Sequence, residues 1–434
     1  MFERIIRFSI EQRWLILLAV FGMAALGVFS YQKLPIDAVP DITNVQVQIA
    51  SEVPGRSPEE VERFATVPIE VAMTGLPGLT ELRSLNKPGL SLITLVFTDN
   101  TNVYFARQLV MERLIEVSNR LPPGITPVLG PVSSGLGEVY QYTIEHPNDG
   151  KRQLTEEELT QRRVVQDWVL RPLLRSIPGV AEINSQGGFV KQYHVLVNPE
   201  RLRHYKIRLS DVYDAVARNN ANSGGGVLPQ AAEQYLIRGV GLVNGLSDLG
   251  QIVLKETNGT PVYMRDVAEI KFGHEVRQGA VIKNGDTEAV GGIVMMLTGG
   301  NAKDVVSRIK ARVKEINDRD MLPGGLKVTP YYDRSELVDA ALWTVTKVLI
   351  EGVILVVVVL FLFLGDVRSS LIVVATLILT PLLTFMAMNK LGISANLMSL
   401  GGLAIAIGLM VDGSVVVVEN AYARLGRAAE LGET

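Results

Sequence analysis

One aspartate interrupts an otherwise apolar run near the C-terminal end: Leu397-Met-Ser-Leu-Gly-Gly-Leu-Ala-Ile-Ala-Ile-Gly-Leu-Met-Val-Asp412-Gly-Ser-Val-Val-Val-Val-Glu419-Asn. A carboxylate at bilayer depth is costly and persists where it pairs, meets water or carries protons, so Asp412 predicts proton handling. The plainer alternative is an aspartate held by a backbone carbonyl or a lysine, with no further role. At about 100° per residue, Ala404, Gly408, Asp412 and Glu419 share roughly one helical face. Glu419 reads either as a second group in a proton relay or as an acid tolerated at the membrane interface. The same helix is rich in small residues, and Gly401, Gly408 and Gly413 are its expected packing positions against neighbouring helices. Lys347 and Glu351, four apart in another apolar stretch, read as an intrahelical ion pair or as a relay. Four histidines (His146, His194, His204, His274) stand at spacings that make no ligand pair, and there is no cysteine for a thiolate site.

Positioning an intramembrane acid requires spanning helices, and four runs supply them. Trp14 to Tyr31 is about 18 residues without a charge, near the minimum for a span, with aromatics at both ends. It exceeds the usual apolar core of a signal peptide and no small-x-small cleavage site follows, which predicts a retained helix. The second span lies within 337–364, the third is 371–388 with Pro381 inside it, and the fourth carries Asp412. Gly365-Asp-Val-Arg368 is expected to turn the chain between the second and third. Arg4, Arg7, Arg13, Arg368, Arg424 and Arg427 fall on one side of this four-pass arrangement, which makes that side cytoplasmic. Everything from about Lys33 to about Glu336 is then external.

Within that insert, strand and helix signals alternate. A strand at 45–53 precedes Ser57-Pro-Glu-Glu60, where hydroxyl, proline and acids start a helix running to about Thr74. A hairpin over 79–85 and 91–97 is joined by Asn86-Lys-Pro-Gly89, and a helix over 102–121 leads to a strand at 126–129. The order is βαββαβ, a ferredoxin-like unit. A second unit combines a strand at 139–145, a helix at 155–177 and a strand at 181–185 with strands at 280–283 and 288–297, a helix at 302–318 and a strand at 326–331. An α/β excursion over about 190–275 splits it. Its Asn219-Asn-Ala-Asn-Ser-Gly-Gly-Gly226 lacks the lysine and preceding strand of a phosphate loop and is expected to be a plain loop.

These features together resemble the resistance-nodulation-division (RND) transporters, and within them the heavy-metal efflux branch, the CusA/CzcA type. The resemblance rests on Val411-Asp-Gly-Ser-Val-Val-Val-Val-Glu-Asn420, Leu34-Pro-Ile-Asp-Ala-Val-Pro-Asp-Ile-Thr-Asn-Val-Gln-Val47, Pro54-Gly-Arg-Ser-Pro-Glu-Glu-Val61 and Leu360-Phe-Leu-Phe-Leu-Gly-Asp-Val-Arg-Ser369, in order along the whole chain. It implies a proton-driven, homotrimeric, multi-pass permease of the inner membrane, working with a periplasmic adaptor protein and an outer-membrane channel, with metal cations as cargo and no cofactor. The implied α+β membrane fold comprises 1–32 with the first transmembrane helix, 33–134 as the first porter subdomain, and 135–189 with 277–336 as the second. It continues with 190–276 as the docking domain, 337–421 as transmembrane helices two to four and 422–434 as a cytoplasmic segment. Members of this family have twelve spans, so the chain is expected to be an N-terminal portion that does not transport alone. Ala406-Ile-Gly408 departs from the Asp-Phe-Gly of zinc, cobalt and cadmium members. Met398 and Met410 offer thioethers, soft donors suited to Cu(I) or Ag(I), although packing is the alternative role for each. Helical geometry places Met398 within about 40° of Asp412 and Met410 about 160° away.

Composition narrows the alternatives. With 47% hydrophobic and 20% charged residues, the chain is neither a bare membrane bundle nor a soluble protein. A net charge of −3 gives no basic surface for nucleic acid. No catalytic triad, metal-ligand cluster or nucleotide loop suggests an enzyme. Multidrug efflux by the same architecture is an alternative, but drug pumps of this kind tend to carry two adjacent acids where Val411 here precedes a single Asp412. A truncated, non-transporting membrane scaffold is the other.

Overall fold

The computed structural model describes all residues except Met1, Ala38, Ala231, Ala232, Asn258, Gln278, Gly365, Asp366 and 431–434. Two helices open the chain, α1 (Phe2–Glu11) and α2 (Arg13–Lys33). The second contains the whole first apolar run.

A four-stranded unit follows. In β1 (Gln46–Glu52) the side chains of Val47, Ile49 and Ser51 alternate inward. Ser57 caps α3 (Pro58–Val61) with a capping box: its hydroxyl accepts from the Glu60 amide while the Glu60 carboxylate accepts from the Ser57 amide. A π-turn over Glu62–Thr66 interrupts the helix before α4 (Val67–Met73). Then come β2 (Leu79–Lys87), β3 (Leu90–Phe97), α5 (Val103–Ser118), capped by Asn102, and β4 (Thr126–Leu129). The antiparallel sheet runs β2-β3-β1-β4 and buries Ile49, Ile69, Ile93, Leu95 and Val110 against its helices. Strand pairing continues through Asn86 and Lys87, so the hairpin turn is shorter than the four-residue link expected. Gly89, at φ +76, makes that turn possible.

The second unit begins with β5 (Glu138–Glu145), α6 (Glu156–Val165), a π-turn at Gln166–Leu170, α7 (Arg171–Arg175) and β6 (Val180–Gln186). The chain then leaves along β7 (Lys191–Val197) through α8 (Pro199–Tyr205), α9 (Leu209–Arg218), β8 (Ser223–Gln230), β9 (Glu233–Gly239), α10 (Leu246–Gly250), β10 (Val253–Thr257), β11 (Thr260–Tyr263) and α11 (Met264–Val267). It returns along β12 (Ala268–His274), which pairs with β7. This excursion has its own core around Leu202, Leu249, Met264 and Val267. Its glycine run is not the expected loop: from Ser223 onward it lies in β8, paired with β9, with a register shift between Gly224 and Val227 and Gly226 at φ +82. Glycine there accommodates an irregular strand, as bulges require.

A short hairpin of β13 (Val281–Lys283) and β14 (Thr287–Ala289) precedes β15 (Gly291–Met296), α12 (Ala302–Asp318) and β16 (Lys327–Asp333). The strand expected at 280–283 therefore pairs only with its own hairpin partner and stays outside the main sheet. That sheet runs β16-β5-β15-β6, the same permutation of first to fourth strand as in the first unit. Both units also share a π-turn in the first helix, followed by a proline, Pro68 or Pro172. Gln166, fully buried in its π-turn, accepts from the Tyr142 hydroxyl at 2.9 Å, and Thr66 in the other contacts Asn86 and Ser91 at 2.6 Å each.

Three helices end the chain: α13 (Arg334–Leu364), α14 (Val367–Leu391), with Pro381 inside, and α15 (Leu397–Glu430). Among the described residues, the stretches Arg13–Lys33, Ser370–Leu391 and Leu397–Arg424 are long and apolar enough to cross a membrane, and α13 holds a shorter apolar stretch, Ile350–Val359. No more than 17% of the residues in those three windows are buried, which leaves their apolar surface facing outward. Of the turn expected at 365–368, Gly365 and Asp366 lie outside the described residues, while Val367 and Arg368 already belong to α14. α14 runs along both α2 and α15. The approach to α2 is very close at Gly27, where an added Cβ would sit 2.6 Å from the Cβ and 2.7 Å from the carbonyl oxygen of Leu382.

Candidate functional site

The face that α15 buries is set by Leu403 and Ile407, joined by Leu400, Val415 and Val418, against Val373, Leu377 and Phe385 of α14 and Val353 of α13. Asp412 lies five residues beyond Ile407, about 140° around the helix, so it points away from its own neighbours. It is exposed, as is Glu419 further along. Among the described residues neither acid makes an ion pair. An added Cβ at Gly401, Gly402, Gly408 or Gly413 would meet nothing within 4 Å. The small-residue face with its acid is therefore an open, shallow surface on the outside of the helix group. The seam to α14 uses branched aliphatics instead.

Met398 is largely exposed and Met410 about half so; they stand twelve residues apart, about 18 Å along the axis, so they do not face one ion. Met410 borders a crevice of about 10 Å³ with Thr376, Thr380, Ile407 and Ser414, room for about one water. Among the described residues no group of three or more His, Cys, Asp or Glu could hold a metal ion. The histidines each make a separate local contact, such as His274 with Glu156 at 3.1 Å. Lys347 and Glu351 lie 3.9 Å apart on α13, exposed, as an intrahelical pair.

One junction left only a faint signal in local sequence. Arg334, the first residue of α13, is almost fully buried; its guanidinium donates to the Asp37 carboxylate at 2.9 Å and to the Leu136 carbonyl at 2.5 Å. Asp37 follows the end of α2 by four residues. Its amide donates to the Ala395 carbonyl at 3.2 Å and the Ala395 amide donates to Pro35 at 2.9 Å, tying this segment to the α14–α15 loop. Leu34 is buried there with Met388 and Ala395. Nearby, the Ser134 hydroxyl donates to Asp41 at 3.2 Å. Partners separated by almost three hundred positions are invisible to spacing rules; only the two lone charges flanking apolar runs hinted at them.

The two α/β units carry their own polar fasteners. Arg162, buried, donates to the Ile144 carbonyl at 3.1 Å and to Asp149 at 2.7 Å. Burial pushes the Asp149 carboxyl up, but Arg162 and the His146 amide outweigh it and hold it below the usual range. Asp333 behaves alike: burial raises it, while Lys310 at 2.6 Å and Ser335 bring it below its ordinary value.

The chain matches the AcrB/AcrD/AcrF family over residues 5–433. It is 50% identical over 432 residues to the cobalt-zinc-cadmium resistance protein CzcA of Cupriavidus metallidurans, covering 99% of this chain and 40% of that protein. It is 39% identical over 426 residues to the cation efflux system protein CusA of Escherichia coli, covering 98% and 40% respectively. A crystal structure of a heavy metal efflux pump superposes with a TM-score of 0.85 at 37% identity, over 96% of this chain and 41% of that one. The chain thus spans about 40% of the length of the relatives it matches.

Proposed function

The chain belongs to the AcrB/AcrD/AcrF family, and from that premise we propose that it forms the N-terminal part of an inner-membrane permease exporting heavy-metal cations in exchange for protons. The observation that carries the proton step is Asp412, an acid in an apolar helix, displayed on an open face of small residues. Glycines there admit a second helix at close range, and a cation from that helix would hold the carboxylate ionised until protonation releases it. Two conformations that bind the proton with different affinity are what coupling requires. In this reading Glu419 lies further along the same face, at the cytoplasmic interface or on the proton route.

The heavy-metal cargo is supported by the names of the relatives, among them cobalt-zinc-cadmium and cation efflux proteins. In this reading α2, α13, α14 and α15 are four transmembrane helices, and the two βαββαβ units are periplasmic porter subdomains. The excursion from β7 to β12 is the docking element facing an outer-membrane channel. The working assembly is a homotrimer with a periplasmic adaptor, embedded in lipid, and it transports rather than catalyses. The Met398 and Met410 thioethers lie too far apart for a joint site, so selectivity is assigned outside this helix.

The test is Asp412→Asn in metal-sensitive cells that also supply the adaptor, the channel and the remaining length of the transporter, challenged with Cu and Ag salts and with Zn, Co and Cd salts. Expression and trimer assembly are expected to persist while resistance to every exported metal disappears. Full resistance in the variant refutes the assignment.

A further inference from the structure

Each external unit meets the membrane helices differently. The second unit is continuous with them: β16 ends at Asp333 and α13 begins at Arg334 without a linker. Two ion pairs lash α12 to this join, Lys310 with Asp333 and Lys303 with Asp339, both at 2.6 Å. The first unit hangs on two irregular tethers. One, residues 41–44, is exposed and belongs to no strand, and the other runs from Gly130 towards β5. Its sheet is separate from that of the second unit. The tethers lie side by side, joined by the Ser134–Asp41 hydrogen bond, and both reach the same point: Asp37 at the foot of one and Leu136 at the foot of the other.

Arg334 occupies that point. Its planar guanidinium reaches in two directions at once, to a carboxylate and to a backbone carbonyl, which a lysine ammonium does not reproduce in a fixed geometry. Burying it requires both acceptors, because an unpaired buried charge is strongly unfavourable. The pair therefore ties together the external end of α2, the start of α13, the α14–α15 loop through the Pro35–Ala395 contacts, and the foot of the first unit.

We propose that Asp37 and Arg334 are positioning residues that clamp α2 to α13 and thereby hold the second unit rigidly on the membrane helices. The clamp deepens the transport reading by assigning where displacement of the membrane helices enters the external units, and it rests on that reading only for the membrane placement of α2 and α13.

The chain lacks cysteine, so spin labels go only where they are introduced. The informative pair is Leu391→Cys on α14 with Trp168→Cys on the second unit, both highly exposed, in the full chain held in lipid nanodiscs. The control pair, Trp168→Cys with Lys314→Cys, lies within the second unit. Without further change both distance distributions are expected to be narrow. Asp37→Ala and Arg334→Ala each should broaden the informative pair about twofold, as a released contact populates additional local conformers. The double variant should be no broader than either single one, the signature of two residues acting as one contact. Unchanged width in the single variants, additive broadening in the double, or equal broadening of the control pair each overturns the clamp. No transport step enters this measurement, so a failed clamp leaves the export proposal standing, and loss of export function says nothing against the clamp.

Discussion

Gly27→Ala isolates a close approach between two apolar helices, α2 and α14. The new Cβ would lie 2.6 Å from the Cβ of Leu382, where ordinary contact begins at 3.4 Å, and the next atoms met are Leu382 backbone. Backbone does not swing aside as a side-chain terminus does, so α2 and α14 must separate by nearly an ångström. Overpacking of this kind costs about 1–3 kcal/mol. Replacing a helical glycine by alanine returns about 1 kcal/mol of helix propensity. The expected net change at position 27 therefore runs from neutral to a loss of about 2 kcal/mol. Gly408→Ala is the matched reference, since nothing lies within 4 Å of its added Cβ in the described structure, and it should show the propensity gain alone. Unfolding free energies from a denaturing-detergent titration of the chain in micelles give both values. Their difference equals the steric cost, about 1–3 kcal/mol. A disulfide between Tyr31→Cys and Phe385→Cys, whose rings lie 4.9 Å apart, reports the same separation and should form more slowly beside Gly27→Ala. Equal stabilities and equal cross-linking rates for the two alanine variants would refute the packing argument.

Arg162→Met leaves Asp149 and the Ile144 carbonyl without their buried donor; the second unit should lose about 3–5 kcal/mol, read as a fall in its urea midpoint. Acid should act on the α12–α13 join through Asp333. Its folded carboxyl titrates below the ordinary 3.8, so its stabilisation is complete above that value and is lost as pH falls through the folded value. Asp333→Asn should flatten that part of the acid unfolding curve, and an unchanged curve would remove Asp333 from the account. Under the proposed export function, Glu419→Gln in the full-length transporter separates the two roles open to that acid: a shifted pH dependence of export marks a relay, and an unshifted one marks an interfacial carboxylate.

Much of this protein was legible along the chain because its determinants are local. Long apolar stretches mark α2, α14 and α15, the last despite Asp412 inside it, since length and hydropathy alone qualify a helix to span a bilayer. Hydroxyl caps at Ser57 and Thr155 start their helices one residue later, and the bounds of α12 coincide with the amphipathic pattern at 302–318. Strand and helix alternation was enough to order two βαββαβ units, even with one split by an inserted α/β element. The errors arose where pairing partners compete. Residues 281–283 look like a sheet strand but fold back on β14, and the glycines from 224 onward serve a bulged ribbon because β9 was there to pair with them. The π-turns within the first helix of each unit left no pattern, since a one-residue insertion is decided by what the helix must reach across to the sheet. Asp412 itself was evident from its apolar surroundings, but which way it points depended on which aliphatic face of α15 packs against α14. The same holds for Asp37 and Arg334. Each is an unremarkable charge beside an apolar run, and they became a buried pair only when the fold brought the two ends of the α/β insert together, because burial and partner choice belong to the packed molecule rather than to the neighbours along the chain.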